Sequence, residues 1–193
     1  MIVRGGLLAA LVVLGGCSAS AVSEPPASAG VVDLQRYQGT WYELARLPMF
    51  FQRNCAQSQA HYRLQDDGSL AVTNRCRTRE GEWIEARGQA VAQQQGRTDR
   101  LWVSFDNWFS RLLPGVARGN YWVLYLENDY QAVLVGNPSR DYLWLLARQP
   151  EVSAELRARL LAEARARGYD TSALIWRVAD AEIGPSLPVQ PGQ

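Results

Sequence analysis

The sequence contains no lysine and only one histidine, and both absences restrict its chemistry. All 20 basic residues are arginines, against 19 acidic residues, so the formal net charge is +1. Without a lysine, Schiff-base catalysis and a P-loop phosphate site are excluded. His61 alone cannot form a multi-histidine metal site. Because phosphate binding needs a concentrated basic face, the balanced charge argues against a nucleic-acid partner. We therefore expect no metal ion, no other cofactor and no nucleic acid.

The N-terminus is predicted to be a signal peptide. Arg4 precedes an apolar run, Leu7–Leu14, that is shorter than the about 20 residues a membrane-spanning helix needs. The run ends in Leu14-Gly15-Gly16-Cys17, which resembles the bacterial lipobox, the motif whose cysteine thiol receives diacylglycerol. We therefore predict that residues 1–16 are removed and that Cys17 is lipidated. The alternative is an ordinary signal peptide with an incidental cysteine.

Residues 17–30 are predicted to form the lipidated N-terminus and a flexible tether, because they are small, contain proline and carry almost no charge. Ser18, rather than an aspartate, follows Cys17. In bacterial lipoproteins this implies export to the outer membrane, where we expect a lipid-anchored protein facing the periplasm. Membrane attachment would then depend on acyl chains rather than on a polybasic patch.

Two cysteines remain, Cys55 and Cys76, and we predict that they form a disulfide. An even pair in an oxidising compartment is normally bonded. The bond would close a loop of about 20 residues and contribute about 3 kcal/mol in the chain-entropy model. A redox or catalytic thiol is the alternative, and the absence of a CxxC pair disfavours it.

From Val31 onward the pattern is typical of a β protein. Short runs rich in Val, Leu, Tyr, Trp and Phe alternate with turn signals such as Asp66-Asp67-Gly68 and Asn128-Asp129. Eight sequential strands with short links indicate an antiparallel meander that closes and leaves no edge. The predicted fold class is therefore all-β, an eight-stranded antiparallel up-and-down barrel. The predicted strands span 39–47, 57–65, 69–77, 83–92, 99–105, 120–127, 130–136 and 142–148.

One C-terminal helix is predicted between Pro150 and Gly168. Val152, Leu156 and Leu160 recur there at helical spacing, and the stripe they form would pack against the outside of the barrel. Residues 174–176 are expected to add a short strand. The barrel domain is predicted to span 31–178, followed by a disordered tail over 179–193.

Three motifs resemble those of the lipocalins. Gly39–Pro48 (GTWYELARLP) resembles the first-strand signature, particularly that of the bacterial outer-membrane lipocalins and apolipoprotein D. Asn128-Asp129-Tyr130 stands where the family has its second motif, and Asp141–Arg148 (DYLWLLAR) resembles the third. The motifs occur in order, and the resemblance covers about residues 31–178.

The first and third motifs predict how the barrel is closed. Gly39 permits a close approach of backbone, and Trp41 is large enough to plug one end. Arg148 can lay its guanidinium on the indole, a contact worth about 1–2 kcal/mol when desolvated. The resemblance assigns this pairing of Trp and Arg to lipocalins. It therefore implies structural roles for four residues of the three motifs. They are Gly39, Trp41, Asp129 and Arg148.

A ligand cavity inside the barrel is the next expectation. Side chains alternate across a strand, so an inward Arg148 predicts that Leu146 and Trp144 also face inward. The resemblance to apolipoprotein D implies four of the lining residues, and strand parity adds the others. The predicted set is Tyr62, Val103, Phe105, Tyr121, Tyr125, Trp144 and Leu146. Tyr37 is expected near the pocket. The alternative is that these aromatic side chains fill a solid core.

The predicted lining favours a long acyl chain with its head group near the mouth. The resemblance implies fatty acids or lysophospholipids, which the protein would store or transport. Three arginines are candidates to meet an anionic head group, although plain solvent exposure is the commoner explanation for each: Arg46, Arg53 and Arg77.

Two other functions stay open at this point. A lipid esterase would need a nucleophile and a base, but the chain has no GxSxG elbow, and His61 is expected to face outward because it precedes Tyr62. We therefore expect a protein that is not an enzyme. A non-binding structural or assembly lipoprotein with a filled barrel is the other alternative. The apolar loop 107–120 is a candidate lid, membrane-contacting tip or partner surface, and a homodimer is possible.

Overall fold

Eight strands close into one antiparallel barrel in the computed structural model, which describes residues 24–105 and 118–184. Each strand pairs with the next in sequence, and β1 pairs with both β2 and β8. The predicted up-and-down barrel is therefore confirmed. The strands are β1 (Gly39–Arg46), β2 (Cys55–Leu64), β3 (Leu70–Thr78), β4 (Trp83–Ala92), β5 (Arg100–Phe105), β6 (Gly119–Leu126), β7 (Ala132–Gly136) and β8 (Leu143–Ala147).

The remaining elements lie around this barrel. They are a one-turn helix α1 (Leu34–Tyr37), a 3₁₀ turn (Phe50–Gln52), helix α2 (Ala154–Ala166), a short strand β9 (Ile175–Trp176) and a second 3₁₀ turn (Asp180–Glu182). The strand expected after the helix is therefore present, and β9 pairs with the end of β1. No helix in the described part of the chain is long and apolar enough to cross a membrane.

Helix α2 packs on the outside of the barrel, as predicted. Ser153 caps its N-terminus by accepting a hydrogen bond from the backbone N–H of Leu156. The helix ends near Gly168, whose φ of +81° is a conformation that glycine adopts at little cost. Leu160 and Ala164 are fully buried against the outer face of the sheet.

Alternation along the strands separates two apolar clusters. Val133 and Val135 of β7 face the barrel interior, whereas Ala132 and Leu134 face α2. This is the period of two that a barrel strand requires, because its two faces pack against different layers. The inner cluster surrounds the candidate site, and the outer cluster attaches the helix.

A β-bulge in β6 reverses this alternation and corrects one prediction. Val123 pairs with Val135, but Tyr125 pairs with Leu134, so one extra residue lies between the two pairs. Val123 is inside, Leu124 and Tyr125 are both outside, and Leu126 contacts the inner cluster. A bulge shifts every later side chain to the other face. The prediction that Tyr125 faces the cavity is therefore wrong.

Part of the segment before the barrel contacts it. The backbone N–H of Ala29 donates to the carbonyl of Val123 at 2.8 Å, and Pro26 is buried. At the other end of the domain, Gly184 donates its N–H to the carbonyl of Arg79 at 3.0 Å. The signal peptide, Cys17 and the rest of the tether to residue 23 lie outside the described residues, as does the tail from residue 185, and they stay predictions.

Asp99 lies at the closed end of the barrel, and its ionisation is expected to stabilise the fold. Its side chain is inaccessible to solvent, and Arg97 donates two hydrogen bonds to its carboxylate at 2.9 Å. Burial opposes ionisation, but the hydrogen bonds from Arg97 and Ser28 outweigh it and lower the pKa of Asp99 to about 2. Because the folded-state pKa is the lower one, the stabilisation is complete above about pH 4 and is lost as the pH falls towards 2.

Replacement of Asp99 by asparagine tests this dependence. At pH 7 we expect the free energy of unfolding to fall by about 1–2 kcal/mol, and we expect the difference from wild type to shrink towards pH 2. Urea unfolding followed by circular dichroism between pH 2 and 7 measures it. Asp66→Asn is the control, because Asp66 is an exposed turn residue. A pH-independent difference at position 99 would contradict the expectation.

Candidate functional site

The barrel encloses a cavity of about 450 Å³. Its lining extends from Tyr62 and Tyr121 up to the connections between β1 and β2 and between β7 and β8. The volume is within the range of about 300–1,000 Å³ that small-molecule sites occupy. Side chains therefore do not fill the centre of the barrel. The alternative of a non-binding structural lipoprotein requires a filled barrel.

Six of the seven predicted lining residues border this cavity. They are Tyr62, Val103, Phe105, Tyr121, Trp144 and Leu146. Tyr125 lies outside, where its hydroxyl donates to Glu127 and it packs in the outer cluster.

Sequence reasoning missed the cavity wall formed by β2, β3 and β4. This wall consists mainly of small or medium side chains at alternate positions, which are Ser58, Ala60, Val72, Asn74, Ile84 and Ala86. Continuing the alternation from Tyr62 through the strand pairing would have found them, since Tyr62 pairs with Val72 and Ala60 pairs with Asn74.

The closed end is built on the contact between Trp41 and Arg148. The guanidinium lies 3.8 Å from the centroid of the buried indole ring, and the indole N–H donates to the carbonyl of Tyr37 at 2.8 Å. Gly39 has a φ of +92°, and a Cβ on it would lie 3.3 Å from Nη1 of Arg148. A larger residue at position 39 would therefore adopt a strained backbone and crowd the guanidinium.

Arg148 also ties together the chain segments at this end. Its guanidinium donates to the backbone carbonyls of Arg36, Tyr37, Thr40 and Tyr130 at 2.9–3.2 Å. The neighbouring turn is shaped by Asp129, whose carboxylate accepts the N–H of Gln131 at 3.1 Å. These residues hold the base of the cavity and do not line it.

Three phenols form the floor of the cavity, the buried Tyr37 and Tyr62 and the half-buried Tyr121, and we call them the tyrosine floor. The hydroxyls of Tyr37 and Tyr121 are 2.7 Å apart, and Tyr62 donates to Tyr121 at 2.9 Å. Burial raises the pKa of Tyr62 to about 12 and raises the pKa values of Tyr37 and Tyr121 well above their usual value. The phenols therefore remain protonated and able to donate hydrogen bonds at neutral pH.

A buried ion pair, Glu43–Arg46, supports the upper wall. The guanidinium donates to the Glu43 carboxylate at 2.7 Å, and the two side chains are 5% and 2% exposed respectively. Arg46 also donates to the carbonyls of Gln52 and Cys55, while the Gln52 amide donates to Glu43 and accepts from the Trp144 indole N–H. This network attaches the connection between β1 and β2 to the cavity wall.

The three arginines considered for an anionic head group have different environments. Arg46 is buried in its ion pair with Glu43, so it is neither exposed to solvent nor free to bind an anionic head group. Arg77 lies 3.6 Å from Asp180, whereas Arg53 borders the cavity and lies over the exposed Phe50 ring. Arg118, which the sequence did not indicate, also borders the cavity. Arg75 contributes to the lining, but its guanidinium lies over the Trp83 ring and 3.7 Å from the Glu85 carboxylate. The cationic side chains of the cavity therefore lie at its open end.

The disulfide between Cys55 and Cys76 is present, with an S–S distance of 2.04 Å, as predicted. It joins the first residue of β2 to β3 beside the cavity mouth. His61 is exposed on the outer face, where its Nδ1 lies 3.0 Å from the Thr40 hydroxyl. Within residues 24–105 and 118–184, no group of three His, Cys, Asp or Glu side chains is arranged to hold a metal ion. Most of the apolar loop 107–120 lies outside the described residues.

Comparison with known proteins gives matches over most of the chain. Residues 32–179 match the family model of a lipocalin-like domain. The chain is 38% identical over 156 residues to "Outer membrane lipoprotein Blc" of Escherichia coli (strain K12), which covers 79% of this chain and 84% of the relative. It is 28% identical over 149 residues to apolipoprotein D of Rattus norvegicus, covering 74% and 71% of the two chains. The solved structure of insecticyanin from the tobacco hornworm Manduca sexta aligns with a TM-score of 0.65 and 16% identity, covering 85% of this chain and 89% of that one.

Proposed function

Because this chain belongs to the lipocalin family, we propose that it binds single-chain lipids, fatty acids or lysophospholipids, inside its barrel. The family membership confirms the resemblance drawn from the three sequence motifs. The relative from Escherichia coli is named an outer membrane lipoprotein, which supports the predicted outer-membrane location. Attachment through a lipidated Cys17 is part of the proposal.

The proposal rests on a cavity that is apolar in the middle of the barrel and cationic at its mouth. Apolar side chains such as Val103, Phe105 and Leu146 border the middle of the barrel, and the arginines border the mouth. An acyl chain in the middle would gain about 0.8 kcal/mol per buried CH₂, less the cost of ordering the chain. A carboxylate or phosphate at the mouth would remain near Arg53 and Arg118 and near water.

Binding without hydrolysis is the other half of the proposal. An acyl-transfer enzyme needs a base within hydrogen-bond reach of its nucleophile, facing the substrate. The one imidazole of the chain, His61, is exposed on the opposite face of β2 from the cavity-lining Tyr62. We therefore expect no release of glycerophosphate products from lysophospholipid.

A titration of the chain without residues 1–17 with a fluorescent fatty acid tests the proposal. We expect saturable binding, and we expect Trp144→Ala to weaken it about tenfold because part of the apolar wall is lost. The matched control is Trp102→Ala, since Trp102 lies between the inward Leu101 and Val103 and does not border the cavity. Absence of saturable binding would support a structural role instead, and equal affinity of Trp144→Ala and wild type would contradict the assigned pocket.

A further inference from the structure

The tyrosine floor has one more hydroxyl proton than the hydrogen bonds within it require. Three phenols supply three O–H donors. The hydrogen bonds between them number two, Tyr37 with Tyr121 and Tyr62 with Tyr121. Whichever partner donates in the first of these, one hydroxyl proton has no acceptor within the cluster. Tyr121 is half-buried and borders the cavity, so the proton is satisfied by water or by a ligand atom there, and a ligand that displaces the water has to supply an acceptor or leave the donor unpaired.

The surroundings of the floor, in the described part of the protein, do not supply that acceptor. The side chains packed around it are apolar and include Val72, Leu101 and Val123. Arg148 is the nearest charged group, but a guanidinium has no acceptor atom. The acceptor must therefore lie inside the cavity, which Tyr62 and Tyr121 border.

The chemistry of the floor selects a neutral oxygen over an anion. A buried carboxylate would need a cation, but the Arg148 guanidinium already donates to four backbone carbonyls. The cavity-lining cations lie at the opposite end, where Arg53 and Arg118 border the mouth. An amphiphile that satisfies both ends therefore has its anionic group at the mouth and a neutral acceptor at the far end of its chain.

We propose that the cavity selects acyl chains carrying a hydroxyl or carbonyl oxygen at the end distal to the head group, where it accepts a hydrogen bond from the tyrosine floor. This rests on the proposed function and names the ligand class more closely. An ordinary apolar cavity disfavours such an oxygen, because burial strips it of water. The proposal therefore predicts that a distal oxygen strengthens binding, whereas an ordinary apolar cavity predicts that it weakens binding.

The test compares saturated fatty acids with their ω-hydroxy counterparts at each chain length from C10 to C18. Each competes with a fluorescent fatty acid for the chain without residues 1–17. We expect the ω-hydroxy acid to bind about fivefold more tightly at one chain length, where its oxygen reaches the floor, and more weakly at the others. Tighter binding of the unsubstituted acid at every length would overturn the proposal.

A variant with Tyr37→Phe, Tyr62→Phe and Tyr121→Phe removes all three hydroxyls and keeps the rings. We expect it to lose the preference for the ω-hydroxy acid while it still binds unsubstituted acids, which also shows that it is folded. Tyr62→Phe with Tyr121→Phe is the second variant if the triple one does not fold. Tyr125→Phe is the matched control, because that hydroxyl lies outside the barrel.

The outcomes separate this proposal from the broader one. If the preference survives in the phenylalanine variants, the floor is not its source and the inference is wrong. If wild type binds fatty acids with no preference, the inference fails and the proposed function stands. If wild type binds neither series, the proposed function itself fails.

Discussion

Replacement of Arg46 by methionine is expected to lower the free energy of unfolding by about 3–5 kcal/mol, because it leaves a buried charge without its partner. The Arg46 guanidinium is 2% exposed and lies 2.7 Å from the Glu43 carboxylate, which is almost as deeply buried. Its loss also leaves the carbonyls of Gln52 and Cys55 without a donor. Urea unfolding at pH 7, followed by circular dichroism, measures the change.

The double variant Arg46→Met with Glu43→Gln is the control for this result. It removes both charges, so we expect it to recover a large part of the stability lost in the single variant. A neutral amide at position 43 can still accept the hydrogen bond from Gln52. If Arg46→Met lowers the free energy of unfolding by less than about 1 kcal/mol, the Glu43–Arg46 pair behaves as a solvated surface pair and does not support the cavity wall.

Replacement of Arg148 by alanine is expected to cost about 3–4 kcal/mol, since four backbone carbonyls at the closed end lose a charged donor together. The indole of Trp41 also loses the guanidinium that lies 3.8 Å from its centroid. The expected readout is a lower melting temperature. We expect fatty-acid affinity at 25 °C to change little, because Arg148 does not border the cavity.

Arg148→Lys separates the charge of this residue from its geometry. A lysine keeps the positive charge but cannot place donors on four carbonyls at once. We expect it to recover less than half of the stability lost in the alanine variant. Full recovery would show that the charge over the indole, rather than the hydrogen bonds to the backbone, stabilises the closed end.

Much of the fold could be predicted because it follows from local patterns. Strands with a period of two and short turns between them indicated the eight-stranded barrel, and the leucine stripe indicated the outer helix. The orientation of Trp144 and Leu146 also followed, because no bulge separates them from Arg148. The residues that escaped prediction lie where the period breaks or where the signal is a small side chain, as at Ala60 and Ala86.

Two bulges set side-chain orientations that strict alternation does not give. The bulge in β6 places Tyr125 outside although strict alternation predicts it inside. A second irregularity in β1, between Glu43 and Ala45, brings Arg46 to the same side as Glu43. A bulge depends on how two strands fit each other, so the sequence of one strand does not show it.

The sequence by itself determined the strand order and the outer helix, because both depend on local periodicity. It also determined the disulfide, because Cys55 and Cys76 are the two cysteines that remain after Cys17, and the lipocalin motifs indicated the residues that close the barrel. Only the tertiary structure decided that three phenols meet at the closed end of the cavity and that a buried ion pair supports its open end. Tyr37 ends helix α1, Tyr62 lies in β2 and Tyr121 lies in β6. Their phenols meet because barrel closure brings the hydroxyls of residues 84 positions apart to a distance of 2.7 Å. The buried Glu43–Arg46 pair likewise exists only because the connection between β1 and β2 folds back over it and excludes water.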